Sequence, residues 1–142
     1  MIVKSIDEIL GNRPCITIDR ETCVSKAVDL MEANDVEVVV VTDGKTMCGI
    51  LSAEDITRRW LARGLVAEAT HVHEIMTPNP VSVRRQTSVG EALGKMLDKT
   101  VRQLPVLDRA GDVVGLLSLR DIPTEYRLMV ERLRARRQPI VE

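Results

Sequence analysis

Residues 49–55 read Gly-Ile-Leu-Ser-Ala-Glu-Asp, and residues 115–121 read Gly-Leu-Leu-Ser-Leu-Arg-Asp. Each stretch runs glycine, two aliphatic residues, serine, and then aspartate three positions after the serine, with Ile56 or Ile122 next. Working back towards the N-terminus, Thr22, Val24, Ala27, Met31, Val36, Val41 and Asp43 recur as Thr87, Val89, Ala92, Met96, Val101, Val106 and Asp108. The offset is 65 over that span and 66 at Gly49/Gly115, so the second copy carries one extra residue in the connecting loop. A surface loop is where such a change in length is best tolerated. A repeat of this period decides the fold, because the chain is then two copies of one supersecondary unit.

The unit can be read off either copy. Val89, Ala92, Leu93, Met96 and Leu97 fall at i, i+3, i+4, i+7 and i+8, the apolar stripe of an amphipathic helix, and Val24, Ala27, Val28 and Met31 repeat it. β-Branched runs follow at 36–41 and 101–107, then the turns Asp43-Gly44 and 108–112, then second apolar runs at 47–51 and 113–117. That order is strand, hairpin turn, strand. A short strand precedes each helix, at 15–18 and 81–83, and a second helix follows each hairpin, from 52 to 62 and from 118 into the C-terminal tail. The expected fold is α+β, two tandem β-α-β-β-α repeats packed as one pseudo-twofold module. Repeat one is placed at 8–64, a linker at 65–80 with one helical turn at 72–76, repeat two at 74–135 and a tail at 136–142. A unit of this size alone would bury only about 60% of its unfolded surface, so the two should pack together.

Composition narrows the function. The chain has 142 residues, 44% hydrophobic and 29% charged, with a formal net charge of −1. It has no Phe, one Tyr (Tyr126) and one Trp (Trp60), which excludes an aromatic platform for single-stranded nucleic acid. Cys15, Cys23 and Cys48 are odd in number and outside any C-x-x-C spacing, pointing to buried, reduced thiols rather than disulfides or zinc ligands. No stretch approaches the roughly 20 apolar residues of a membrane span. Residues 1–10 do not read as a signal peptide, and the expected location is cytoplasmic.

Laid out this way, residues 8–135 resemble the CBS-domain family. The residues that carry the resemblance are the Thr-x-Val-x-x-Ala-x-x-x-Met helices, the strands ending in Asp43 and Asp108, the two G-h-h-S-x-x-D turns, and the lead-in Met-Thr-Pro-Asn-Pro-Val-Ser-Val at 76–83. The resemblance implies a non-catalytic regulatory module with two clefts between its repeats. The implied ligand is an adenosine-containing molecule of the AMP, ATP, NAD(H) or S-adenosylmethionine class, with no further cofactor. It also implies a homodimer that passes occupancy to an effector protein.

Ser52 with Asp55, and Ser118 with Asp121, have two readings. S-x-x-D after a strand is close to a capping box, serine at the N-cap and the acid at N3. It also offers a carboxylate for two ribose hydroxyls beside a hydroxyl and free helix N–H groups for phosphate. By the resemblance, Asp55 faces Val81, Val101 and Arg102, and Asp121 faces Ile16, Val36 and Glu37. The adenine is then held between aliphatic side chains, including Ile50 or Leu116, and read by backbone groups of the first strand. Arg120 inside the second turn and Arg102 against Glu37 make the clefts unequal, with the Asp121 side favoured. Pro123, at about N5 of the second helix, should delay the start of that helix.

Other signals are weaker. His71-x-His73 has no acidic neighbour in sequence but Glu74, and no metal site is expected. The tail carries five arginines between Arg127 and Arg137, with Tyr126, Met129, Val130 and Leu133 as an apolar stripe suited to dimer packing or partner docking. A nucleic-acid role for those arginines and a ligand-free dimerising scaffold are the alternatives to nucleotide sensing.

Overall fold

A computed structural model describes residues 4–137. Repeat one comprises β1 (Thr17–Asp19), α2 (Val24–Asn34), β2 (Val38–Asp43), β3 (Thr46–Ser52) and α3 (Ala53–Asp55), preceded by a short α1 (Ile6–Leu10). Repeat two comprises β5 (Val83–Arg84), α4 (Val89–Lys99), β6 (Gln103–Leu107), β7 (Val113–Ser118) and α5 (Thr124–Arg137). Between them lie a 3-10 turn at Val72–Glu74 and β4 (Thr77–Pro78). The α+β fold of two β-α-β-β-α units is the one the repeats predict.

Each sheet pairs its first strand parallel to the second and the second antiparallel to the third, in the orders β1-β2-β3-β4 and β5-β6-β7. The helices bury the predicted stripes, Val24, Ala27 and Met31 on α2 and Val89, Ala92, Leu93 and Met96 on α4. Both helices end alike. Asp35 and Thr100 take left-handed conformations, and the next amide, of Val36 or Val101, donates back to the carbonyl of Met31 or Met96. That closure satisfies terminal carbonyls and sets the entry into the hairpin. It also makes Val36 and Val101 part of the helix cap, so the strands begin later, at Val38 and Gln103.

Several elements depart from the sequence expectation. The first strands lie one or two residues later than predicted, at Thr17–Asp19 and Val83–Arg84. The linker is not confined to one helical turn, because Thr77–Pro78 adds to the edge of β3, with Gly49 opposite Pro78 and Ile50 opposite Thr77. The helix after Ser52 is α-helical only over Ala53–Asp55 and continues as a π-helix over Ile56–Leu61. After Ser118 the chain makes a 3-10 turn at Leu119–Asp121, leaves it in extended conformation at Ile122, and begins α5 beyond Pro123. The cysteines are half-buried rather than buried. The tail residues 138–142 lie outside the described residues.

The two repeats are completed crosswise. Ile6 and Leu10 of α1, which precedes repeat one, are buried in the core of repeat two with Val83, Leu93, Met96, Leu104 and Leu117. Val72 and Ile75, which precede repeat two, are buried in the core of repeat one with Ile18, Val39, Val41 and Leu51. Two glycines make room. A Cβ at Gly115 would stand 2.7 Å from Leu10 Cδ1, and one at Gly49 would stand 2.5 Å from Met76 Sδ and 2.8 Å from the Thr77 carbonyl oxygen. Thr46 and Asp112, equivalent positions in the two repeats, bridge directly to one another across the pseudo-twofold.

The two glycines differ in what an added methyl would push against. At Gly115 it meets the end of a leucine side chain, which can turn, whereas at Gly49 it also meets a backbone carbonyl held in the sheet. Gly49→Ala should therefore lower the unfolding free energy by about 1–3 kcal/mol, the usual cost of overpacking, and Gly115→Ala by less. Urea unfolding of both variants checks the order, and a larger loss at Gly115 would contradict it.

Candidate functional site

Both S-x-x-D turns form capping boxes. In repeat one the Asp55 amide donates to Ser52 Oγ (3.0 Å) and the Ser52 amide donates to Asp55 Oδ2 (3.1 Å). In repeat two the Ser118 amide donates to Asp121 Oδ2 (2.7 Å), and Ser118 Oγ accepts from the Arg120 amide at 3.3 Å. The two carboxylates differ in their second partner. Asp55 is 9% exposed, accepts from the Thr77 hydroxyl at Oδ1 (3.2 Å), and lies 3.8 Å from Arg59 Nη1. That guanidinium nitrogen also donates to the carbonyl of Met76 (2.6 Å), so Arg59 holds the linker rather than extending into solvent. Asp121 instead receives Arg13 Nη1 at Oδ1 (3.0 Å), and Arg13 Nη2 donates to the carbonyl of Ile9 (3.2 Å). Arg13 has no signal in the repeat pattern, because only the folded chain brings it to a residue 108 positions away.

A cleft of about 570 Å³ opens between the repeats on the Asp121 side. Ile16, Val36 and Val38 of repeat one and Leu116 and Leu119 of repeat two supply its aliphatic walls. Ser118, Arg120, Arg13 and Arg127 lie along it, with Asp35 and Glu37 as the acidic groups. Of the predicted residues it therefore gathers Ile16, Val36, Glu37, Arg102, Leu116, Ser118 and Arg120. Asp121 sits behind Arg13 and does not itself line the space.

Arg102, expected to face Asp55, lines this cleft as well. The cause is in the backbone. The Arg102 carbonyl accepts from the Leu119 amide (2.8 Å), just before Gln103 pairs with Ser118, so Arg102 lies beside the S-x-x-D turn of its own repeat. Its equivalent Glu37 does likewise, its carbonyl accepting from the Ala53 amide (2.9 Å), and both residues line the cleft. Val81 and Val101 pack against the repeat-two core, and neither they nor Ile50 lines the cleft. Ser52 and Asp55 lie outside it too. Of the backbone groups expected to read a base, the Ile16 carbonyl is already taken by the Val40 amide (3.1 Å).

Arg127 is the second arginine that sequence reading placed elsewhere. It belongs to the tail helix, yet it lines the cleft, with Nη2 donating to Thr124 Oγ1 (3.0 Å) and a buried Nε that finds no hydrogen-bond partner among the described residues. Arg134 pairs with Asp98, so the tail arginines do not form one free basic stripe. The apolar stripe divides as well. Tyr126 and Val130 pack on repeat two, and Leu128, Met129 and Leu133 are exposed.

The cysteines stand in different surroundings. Cys15 lines the cleft, and burial pushes its thiol up from the ordinary value. Cys48 is also raised, first by burial. Cys23 is lowered, chiefly by the Ser25 hydroxyl 3.1 Å from its sulfur. No helix among the described residues is long and apolar enough to cross a membrane.

Comparison with known proteins agrees with this architecture. The CBS domain family model matches residues 3–62 and again 72–125. A CBS domain-containing protein of Arabidopsis thaliana is 36% identical over 105 residues, covering 73% of this chain and 19% of that protein, so the chain spans about a fifth of that relative's length. A CBS domain protein from Pyrobaculum aerophilum, solved in complex with AMP, superposes with a TM-score of 0.79 at 25% identity, over 92% of this chain and 99% of that one. A conserved protein from Pyrococcus horikoshii superposes with a TM-score of 0.74 at 26% identity, over 100% and 99%. With two matches to the family along most of its length and the fold of solved members, the chain belongs to the CBS-domain family as a tandem CBS pair.

Proposed function

We propose that this CBS pair is a non-catalytic regulatory module that binds an adenine nucleotide in the Asp121-side cleft and passes occupancy to a partner. The observation that carries the reading is the division of that cleft. Aliphatic walls from both repeats suit a base, and four arginines, Arg13, Arg102, Arg120 and Arg127, suit a phosphate. The volume falls within the range of small-molecule sites. Arg127 adds a buried donor with no partner among the described residues, a group that costs stability until an acceptor reaches it. A CBS protein of similar fold is known in complex with AMP, which supports the ligand class. In this reading Ser118 and Asp121 serve the ribose and phosphate, Ile16, Val36, Leu116 and Glu37 surround the base, and Arg102, Arg120 and Arg127 meet the phosphate.

The Asp55 side, with Ser52, Ile50, Val81 and Val101, is the weaker candidate, because the Asp55 carboxylate is buried and already holds the linker through Thr77. A ligand touching both repeats would favour one relative arrangement of them, the differential affinity that allosteric signalling needs. The exposed Leu128, Met129 and Leu133 support a homodimer through α5.

Thermal unfolding with AMP, ADP, ATP, NADH and S-adenosylmethionine tests the reading. A ligand at about 100 times its Kd should add about 2.7 kcal/mol, a rise of several degrees. Arg127→Ala should weaken AMP by about tenfold or more and leave adenosine little changed, since a lost charge-assisted bond to phosphate is worth about 1.5–3 kcal/mol. No shift with any of the five would overturn the proposal and favour the scaffold.

In the absence of ligand the two aspartates should differ. Asp55→Ala removes a buried carboxylate with three partners and should cost about 2 kcal/mol, whereas Asp121→Ala removes a cap and a partly exposed ion pair and should cost about 1 kcal/mol. Chemical denaturation of the two variants compares them.

Alkylation gives an independent view of the cleft. Iodoacetamide at neutral pH should modify Cys23 before Cys15 and Cys48, because the lowered thiol has the larger thiolate fraction. A bound nucleotide should slow Cys15 further and leave Cys23 unchanged, as read by mass spectrometry.

A further inference from the structure

Away from the cleft, folding brings Glu21 to two histidines some fifty residues further along the chain. Glu21 sits in the turn between β1 and α2, while His71 and His73 lie where the chain leaves repeat one. Glu21 Oε2 is 3.6 Å from His71 Nδ1 and 3.8 Å from His73 Nε2. One nitrogen or oxygen from each of the three lies within 4.8 Å of the others. The imidazole centroids are 5.5 Å apart and the rings are tilted by 37°.

The backbones carrying these groups are pinned to each other. The Val72 amide donates to the Thr22 carbonyl (2.8 Å), the His73 amide to the Arg20 carbonyl (3.3 Å), and the Val24 amide to the Thr70 carbonyl (2.8 Å). Cys23 and His71 face one another in an antiparallel bridge. The Glu21 amide donates to Asp19 Oδ1 (2.9 Å), and the His71 amide donates to Glu74 Oε2 (2.6 Å). Glu74, the acid nearest in sequence, is thus spent on the backbone, and the distant Glu21 takes its place. Arg20 Nε stands 3.5 Å from Glu21 Oε1, which leaves Oε2 turned to the imidazoles.

The geometry points to a divalent transition-metal site of the zinc class, with His71, His73 and Glu21 as ligands, tying the β1–α2 turn to the linker between the repeats. Bonds of about 2.0–2.1 Å in a tetrahedron put ligand atoms about 3.3–3.4 Å apart. The Glu21–His separations exceed that by a few tenths of an ångström, and half-exposed side chains can close it by small rotations. Two imidazoles with one carboxylate favour zinc, nickel or copper over magnesium and calcium, which take oxygen ligands. Three protein ligands leave the fourth position to water. Without a metal the same groups make only contacts of 3.6 and 3.8 Å between side chains open to solvent, a weak interaction.

Isothermal titration of the tag-free full chain with zinc chloride, and separately with magnesium chloride, tests the site. One zinc per chain should bind, magnesium should not, and His71→Ala, His73→Ala and Glu21→Gln should each weaken zinc at least about tenfold. Thiols also take zinc, so a variant with Cys15, Cys23 and Cys48 all changed to serine is titrated as well and should keep its one equivalent. Circular dichroism verifies that each variant is folded, and Glu21→Gln, on an exposed side chain, keeps the test open if a histidine variant is not. No one-to-one binding at about 100 µM zinc would overturn the site. So would loss of the equivalent with the cysteines, or unchanged affinity in the histidine and glutamate variants.

Discussion

The exchange of lead-in segments is the constraint on which the rest of this molecule depends. Leu10 rests on Gly115 and Met76 on Gly49, pairs related by the same 66-residue offset, so the contact has been duplicated with the repeat. Each sheet is finished by the segment that leads into the other repeat's first strand. Removing Ile6 and Leu10 from repeat two would expose two aliphatic side chains, each worth about 1.5–3 kcal/mol when fully buried. Neither repeat is therefore a complete core by itself. The cleft inherits this arrangement, because the chain runs from α1, packed on repeat two, through Arg13 and Cys15 into the strand of repeat one.

The repeats diverge where the duplicated pattern stops, immediately after S-x-x-D. In repeat one the chain continues as a π-helix over Ile56–Leu61, and Arg59 at its centre reaches back to the linker carbonyls. In repeat two, Pro123 cannot donate a backbone hydrogen bond, and Ile122 takes the extended conformation that the residue before proline prefers. The break restarts the chain as α5 on a new course. Tyr126 then lies over α4, its hydroxyl 2.8 Å from where a Cβ at Gly90 would stand, and Arg127 turns into the cleft. One proline thus makes two similar turns into unlike surroundings.

The fold was legible because the features that specify it are periodic or local. Helical stripes, hairpin turns and the S-x-x-D caps each occupy a few residues, and duplication presents each of them twice. What escaped the sequence lies in tertiary pairings without a local signature. Arg13 reaches Asp121, Glu21 reaches the two histidines, and Thr77 reaches Asp55, each joining segments that no period connects. Arg102 is placed by the hydrogen bond that ties its carbonyl to the Leu119 amide, a contact between two segments of repeat two that no helical or strand period announces.

Under the nucleotide reading, the Arg13–Asp121 pair bears on where affinity would originate. Both carboxylate oxygens are engaged in the free chain, one by the Ser118 amide and the other by Arg13. Ribose hydroxyls reaching Oδ1 would displace a guanidinium, which loses one charge-assisted hydrogen bond and gains weaker ones. The displaced Arg13 stays beside the other cleft arginines, where a phosphate offers it a partner of the same kind. Those exchanges largely cancel. The net gain would then come from the aliphatic walls and from the buried Arg127 Nε, which has no partner among the described residues to give up. Adenosine alone would break the ion pair without replacing it, so the phosphate is needed for the balance to favour binding.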